Sequence, residues 1–150
     1  MTISVEDRRR ALSVLAKAEA EELERRWQAL GLAPAYRHMR PPETGLVMLR
    51  GRIGGSGGPF NVGEMTVTRC SLVLEDGTVG HGYVGGCDAR HAELMALCDA
   101  LLQSAAHRNA IEESIVGPLA TAHAEARQRK AARAAATRVE FFTVAREGGE

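Results

Sequence analysis

RGRIGGSGGPFNVGEMTVTRC, residues 50–70, decides the fold, because it joins two strand-like runs through a connection dense in glycine. Gly54, Gly55, Gly57 and Gly58 stand between the runs, with Arg50, Arg52 and Arg69 flanking them. Glycine accepts positive φ and close backbone approach at an entropic cost, so this density fits backbone shaped for a partner or an anion. It fits a mobile hairpin loop equally. Two familiar phosphate loops are excluded. GxxxxGK[ST] needs Lys-Ser/Thr where Pro59-Phe60-Asn61 stands, and GxGxxG needs a helix start that Gly58-Pro59-Phe60 does not provide.

Outward from this stretch, Thr44 to Ile53 reads as a first strand and Glu64 to Leu74 as a second. Glu75-Asp76-Gly77-Thr78 is a hairpin signal, and Val79 to Gly85 is the third strand. A two-residue turn there sets Leu72 opposite His81 and Cys70 opposite Tyr83, with Val73 beside Gly80 and Ser71 beside Gly82. The two glycines leave room for a helix or a partner close against the sheet. Asp88 is placed to cap a helix carrying Leu94, Leu97, Cys98, Leu101 and Leu102 at helical spacing. A further helix begins within Asn109 to Ser114, Pro118 interrupts or restarts it, and Thr121 to Ala136 is rich in alanine with Arg127, Arg129, Lys130 and Arg133. Arg138 to Val144 reads as a last strand.

Upstream, Ser4 suits an N-cap, and Leu12, Ala16, Ala20, Leu23, Trp27 and Leu30 recur at helical spacing until Gly31 and Pro34 stop the run. The opposite face, including Arg8, Arg9, Arg10 and Lys17, reads as solvated. Ala35 to Glu43 reads as an extended connection because of Pro41-Pro42, with Tyr36, Arg37, His38 and Arg40 exposed on it. The expectation is a single α+β domain: an antiparallel sheet of three to four strands with long helices packed against it. Its parts are an N-terminal helix over about 4–30, a glycine-rich β region over about 44–86, a helical region over about 88–136 and a last strand over about 138–144.

A length of 150 residues suits one domain with a core of its own. Nineteen basic and nineteen acidic residues cancel, so no global field favours nucleic acid or an acidic membrane, and any anion site must be local. No apolar run approaches the roughly 18 residues of a membrane span, and MTISVEDRRR lacks the apolar core of a signal peptide, which points to the cytoplasm. Cys70, Cys87 and Cys98 form no CxxC pair. They read as buried or half-buried thiols, with neither disulfide nor metal expected.

Three motifs in order, RGRIGGSGGPFNVGEMTVTRC, GTVGHGYVGG and DARHAELMALCDALL, resemble the PhnG family, the small subunit of the bacterial carbon-phosphorus lyase core complex. The resemblance covers about residues 43–103. It implies an accessory subunit of the complex that converts ATP and an alkylphosphonate to ribose 1-alkylphosphonate 5-triphosphate with release of adenine. It implies as partners a larger nucleosidase-like subunit, PhnI, together with PhnH, PhnJ and PhnL. ATP is then substrate of the complex, and no cofactor belongs to this chain.

The residues themselves present part of a site. There is no Gly-x-Ser-x-Gly and no reactive-cysteine signature. Arg50, Arg52 and Arg69 offer planar, permanently charged donors for phosphate or phosphonate oxygens, and Glu64, near Asn61 and Thr66, can orient these arginines. The same groups can instead form salt bridges holding a loop or an interface. His81, Arg90, His91 and Glu93 are candidates for a partner contact, and His91 fits a hydrogen-bonded packing role as well. A purely structural adaptor is the alternative function. An independent enzyme using His81, His91 or Cys70 would have to turn over alone.

Overall fold

The structure, a computed structural model, describes residues 3–137. The strand expected over Arg138 to Val144 lies outside the described residues. Three strands, β1 (Tyr36–Arg52), β2 (Pro59–Leu74) and β3 (Val79–Gly85), form an antiparallel sheet in the order β1-β2-β3. Five helices surround it: α1 (Val5–Ala16), α2 (Ala20–Leu30), α3 (Ala89–Gln103), α4 (Arg108–Ile111) and α5 (Gly117–Ala136). Among the described residues no helix is long and apolar enough to cross a membrane.

The sheet and α3 meet backbone to backbone. Gly80 and Gly82 face Ala92, Ala96 and Ala100 of α3, and a Cβ added at Gly82 would stand 1.9 Å from the Ala92 carbonyl oxygen. At Gly80 it would stand 2.0 Å from the Ala96 carbonyl oxygen. The room that these glycines leave is therefore filled by a helix. Helix α3 is buried almost all round, from His91 to Leu102 with Glu93 only half-buried, and α1, α2 and the segment after α4 close the core over it. An all-round apolar helix needs partners on every side, which explains its uniform sequence.

The register between β2 and β3 differs by one residue from the two-residue-turn expectation. Gly77, at φ 85°, completes a three-residue loop in which its N–H donates to the Leu74 carbonyl (3.0 Å) while the Leu74 N–H donates to the Thr78 carbonyl (2.9 Å). Such a loop closes with a left-handed glycine and one residue more than the tighter turn. Leu72 thus pairs with Gly80 and Cys70 with Gly82 on the helix-covered face, while Ser71 pairs with His81 and Arg69 with Tyr83 on the other. A one-residue shift exchanges faces, so His81 and Tyr83 are exposed.

The first two strands are longer than their sequence limits suggest. β1 begins at Tyr36, and Pro41 and Pro42 fall within the register shift at Arg40/Glu43, just after another at His38/Arg40. β1 is an edge strand, where proline's missing N–H costs little and bulges absorb the irregularity. β2 begins at Pro59, and only a short 3₁₀ turn, Ile53–Gly55, and the residues up to Gly58 connect the two.

The N-terminal run over 4–30 is divided into two helices. Glu19 is extended (φ −67°, ψ 127°), and the Leu15 carbonyl lies 2.8 Å from His91 Nε2. Arg8 leaves the solvated face assigned to it and binds Asp99 of α3 through both oxygens, at 2.7 and 2.8 Å. Asp99 is fully buried and also accepts the His81 backbone N–H at 2.9 Å, so one carboxylate ties α1, α3 and β3 together. After α4 the helical path continues through a π-helical turn, Glu112–Val116, into α5. Pro118 has no N–H to offer the Ser114 carbonyl; Arg26 donates to that oxygen instead, at 3.2 Å. Beyond Leu119, α5 is largely exposed.

Candidate functional site

The candidate residues fall into three places. The first is where β1 crosses the start of α3. Asp88 caps α3 by accepting the His91 N–H (2.8 Å), and this sets Arg90 and Glu93 toward β1 and α2. Glu93 accepts from the Tyr36 hydroxyl (2.9 Å) and from Arg90 (2.8 Å), and its Oε1 lies 2.9 Å from His38 Nε2. Arg90 continues to Glu24 of α2 at 2.8 Å.

Partial burial acts to raise the Glu93 pKa, but the hydrogen bonds from Arg90, Tyr36 and His38 outweigh it and hold the carboxyl below its ordinary value. Burial and the hydrogen bond to Glu93 push the Tyr36 phenol up. The hydrogen bond to Glu24 raises Arg90 further. A carboxylate with three partners is a poor base. The group locks β1, α2 and α3 to one another. His91 stands apart, 7% exposed, with its ring against the Leu15 carbonyl, so the packing reading describes it.

The second place is the outer face of the sheet. Arg69 and Arg40 both donate to Glu43 Oε1 at 2.6 Å, and those two hydrogen bonds lower the Glu43 pKa, Arg40 contributing most. His81 Nδ1 lies 2.9 Å from Ser71 Oγ. Beside Arg69 is a recess of about 130 Å³ bounded by Thr44, Val67 and Tyr83. Ligand pockets for small molecules run from about 300 Å³ upward, so this one does not enclose a nucleotide.

The third place is the far end of the β1–β2 ribbon. Arg50 pairs in register with Asn61 and Met48 with Glu64, and all four are exposed. Arg52 donates to the Gly57 carbonyl at 3.0 Å and holds the glycine turn closed. Among the described residues neither Arg50 nor Glu64 makes an ion pair.

Arg69 therefore does not join Arg50 and Arg52 in one anion site. Eight strand positions separate Arg69 from Asn61, the partner of Arg50, a span of roughly 26 Å at about 3.3 Å per residue. Glu64 does not orient Arg69; Glu43 does. Two features went unread in the sequence. Tyr36 and His38 read as exposed candidates, and their spacing along the chain does not show the link to Glu93. Asp99 lies inside an apolar helix, where a single carboxylate among leucines signals a buried partner.

The cysteines are all free; Cys70 and Cys98 are buried, while Cys87 is exposed, against the expectation of buried or half-buried thiols. Burial pushes the Cys70 thiol up to about 11 and the Cys98 thiol to about 12, so neither supplies a thiolate nucleophile at neutral pH. Among the described residues no group of three or more His, Cys, Asp or Glu side chains is placed to hold a metal ion.

Comparison with known proteins adds to this geometry. The model of a family described as phosphonate metabolism protein PhnG matches residues 6–147. The chain is 49% identical over 142 residues to alpha-D-ribose 1-methylphosphonate 5-triphosphate synthase subunit PhnG of Rhizobium meliloti (strain 1021). That alignment covers 95% of this chain and 90% of the relative.

Proposed function

Since the chain belongs to the PhnG family, we propose that it is a subunit of a ribose 1-methylphosphonate 5-triphosphate synthase and works in phosphonate metabolism. The observation that carries this reading is the 49% identity sustained across nearly the whole of both chains. In the reaction a phosphonate oxygen displaces adenine at the anomeric carbon of ATP. An anionic phosphonate must therefore be brought beside an anionic triphosphate, which calls for positive groups around both.

Residues 1–150 act as one domain, in the cytoplasm where ATP is available. The nucleosidase-like chemistry belongs to the larger subunit PhnI, in an assembly with PhnH and PhnJ that also requires PhnL. The isolated chain does not turn over. Its contribution to the anion field comes from Arg50 and Arg52, which stand exposed at the end of the ribbon. A structural-adaptor reading has its own support: Arg69, Arg90 and Glu93 are already engaged within the chain.

The test is adenine release from ATP and methylphosphonate by the reconstituted subunits. Omitting this chain should abolish release; full release without it would overturn the subunit reading. Arg50→Ala with Arg52→Ala, in a complex shown to assemble, should remove most turnover. Unchanged turnover in that assembled variant would establish the adaptor reading.

A further inference from the structure

The outer half of the β1–β2 ribbon is organised unlike the rest of the sheet. Among the described residues β3 pairs with β2 only from Val67 onward, so over residues 46–65 the two strands pair with each other alone and both outer edges keep open backbone groups. A two-stranded ribbon is at best marginally stable in water unless one of its faces is covered. Seven of the eleven exposed large hydrophobic residues among those described lie in this ribbon, which makes it a contiguous patch instead of a scatter.

Both faces take part. Leu46 and Met48, 63% and 54% exposed, point to the side on which the helices lie further along the sheet. Leu49 and Met65, each 41% exposed, point to the other side, and Ile53 and Val62 extend the patch toward the tip. A sheet face buried on neither side is a surface made to be enclosed.

We infer that residues 45–66 are an arm that inserts into an apolar groove of another subunit of the synthase and carries Arg50 and Arg52 to the anions held there. The inference rests on the proposed function for the identity of the partner. Charge decides against a second copy of this chain. The charged residues between 45 and 66 are Arg50, Arg52 and Glu64, so two arms packed together would gather four arginines against two glutamates. A different partner that holds the anionic substrates removes that surplus. The arm also has the size of an interface by itself, since stable interfaces take about 20–30 residues from each side. The open edges allow a strand of the partner to add to β1 or β2.

The experiment titrates the full chain against the remaining synthase subunits and follows the assembled mass. Leu46→Asp with Met48→Asp should weaken association by roughly 100-fold, and Leu49→Asp with Met65→Asp similarly, as central apolar anchors do. All four positions are exposed, so the isolated variants should keep the thermal midpoint of the wild type. Wild-type affinity in both apolar variants would overturn the arm, and adenine release by those complexes would leave the proposed function standing. Self-association of the wild-type chain, lost in the variants while binding to the other subunits persists, would overturn it in favour of a second copy. A wild-type chain that binds none of the synthase subunits would defeat both readings.

Discussion

β1 and β2 run through two environments, and the contrast between them explains the molecule. In the inner half, Leu72 and Cys70 are buried under α3, Gly80 and Gly82 bring helix and sheet into backbone contact, and Asp99 satisfies Arg8 and the His81 N–H at once. In the outer half the same strands carry Leu46, Met48 and Met65 into solvent and, among the described residues, leave their edges open. The inner half completes its own apolar contacts and hydrogen bonds. The outer half needs a second molecule to do so, which is the expected form of a subunit whose function lies in an assembly.

The sharpest way to break the inner half is to give it one methyl group. Gly82→Ala places a Cβ against the Ala92 carbonyl, and neither backbone can give way without opening the sheet from α3. The expected loss is on the order of 3 kcal/mol or more, read from denaturant unfolding. Arg8→Ala comes next. It leaves the Asp99 carboxylate buried with only a backbone donor, at a cost of about 3 kcal/mol, and Asp99→Asn should cost less because it removes the buried charge and leaves the partly exposed Arg8 guanidinium able to reach water.

A smaller effect separates the lock at the start of α3 from the core. The Glu93 pKa lies below its ordinary 4.5, so its stabilising contribution is present above that pH and is lost as pH falls through the lowered value. Glu93→Gln should therefore lower stability at neutral pH and flatten the decline below pH 4.5, measured by thermal midpoint against pH. The smallest effect is expected in the arm. Leu46→Asp with Met48→Asp should change the unfolding free energy of the isolated chain by no more than about 0.5 kcal/mol each, as for other exposed sites. A large loss there would show that the ribbon supports the fold and would blur the contrast.

Much of the inner half is legible in the sequence because its signals are local. Asp88 caps α3, Val79 to Gly85 form β3, and Gly80 and Gly82 mark close approach. The register failed by one residue because Asp-Gly serves both a two-residue turn and the three-residue loop closed by Gly77, and only the backbone distinguishes them. The break between α1 and α2 was hidden because Leu15 gives its carbonyl to His91, a contact 76 residues away. The proline-rich start of β1, up to Glu43, reads as a connection because its bulges are set by pairing with β2 and not by its own residues.

The candidate site was legible as residue types and not as an arrangement. Arg50, Arg52 and Arg69 look alike on paper, yet the length of the ribbon separates the first two from the third. Glu43 and Glu93 became the organising carboxylates, one from a stretch read as a linker and one through residues brought to it by β1. Pairings of this kind depend on tertiary placement, which spacing along the chain does not encode.

Hydrogen exchange resolved along the chain, for the isolated protein and for the assembled synthase, tests the contrast most directly. In isolation the amides of α3 and β3 should exchange only through global unfolding while those of residues 45–66 exchange orders of magnitude faster, and assembly should protect the arm strongly. Equal protection of arm and core in the isolated chain, or an arm as fast in the complex as alone, would contradict the account.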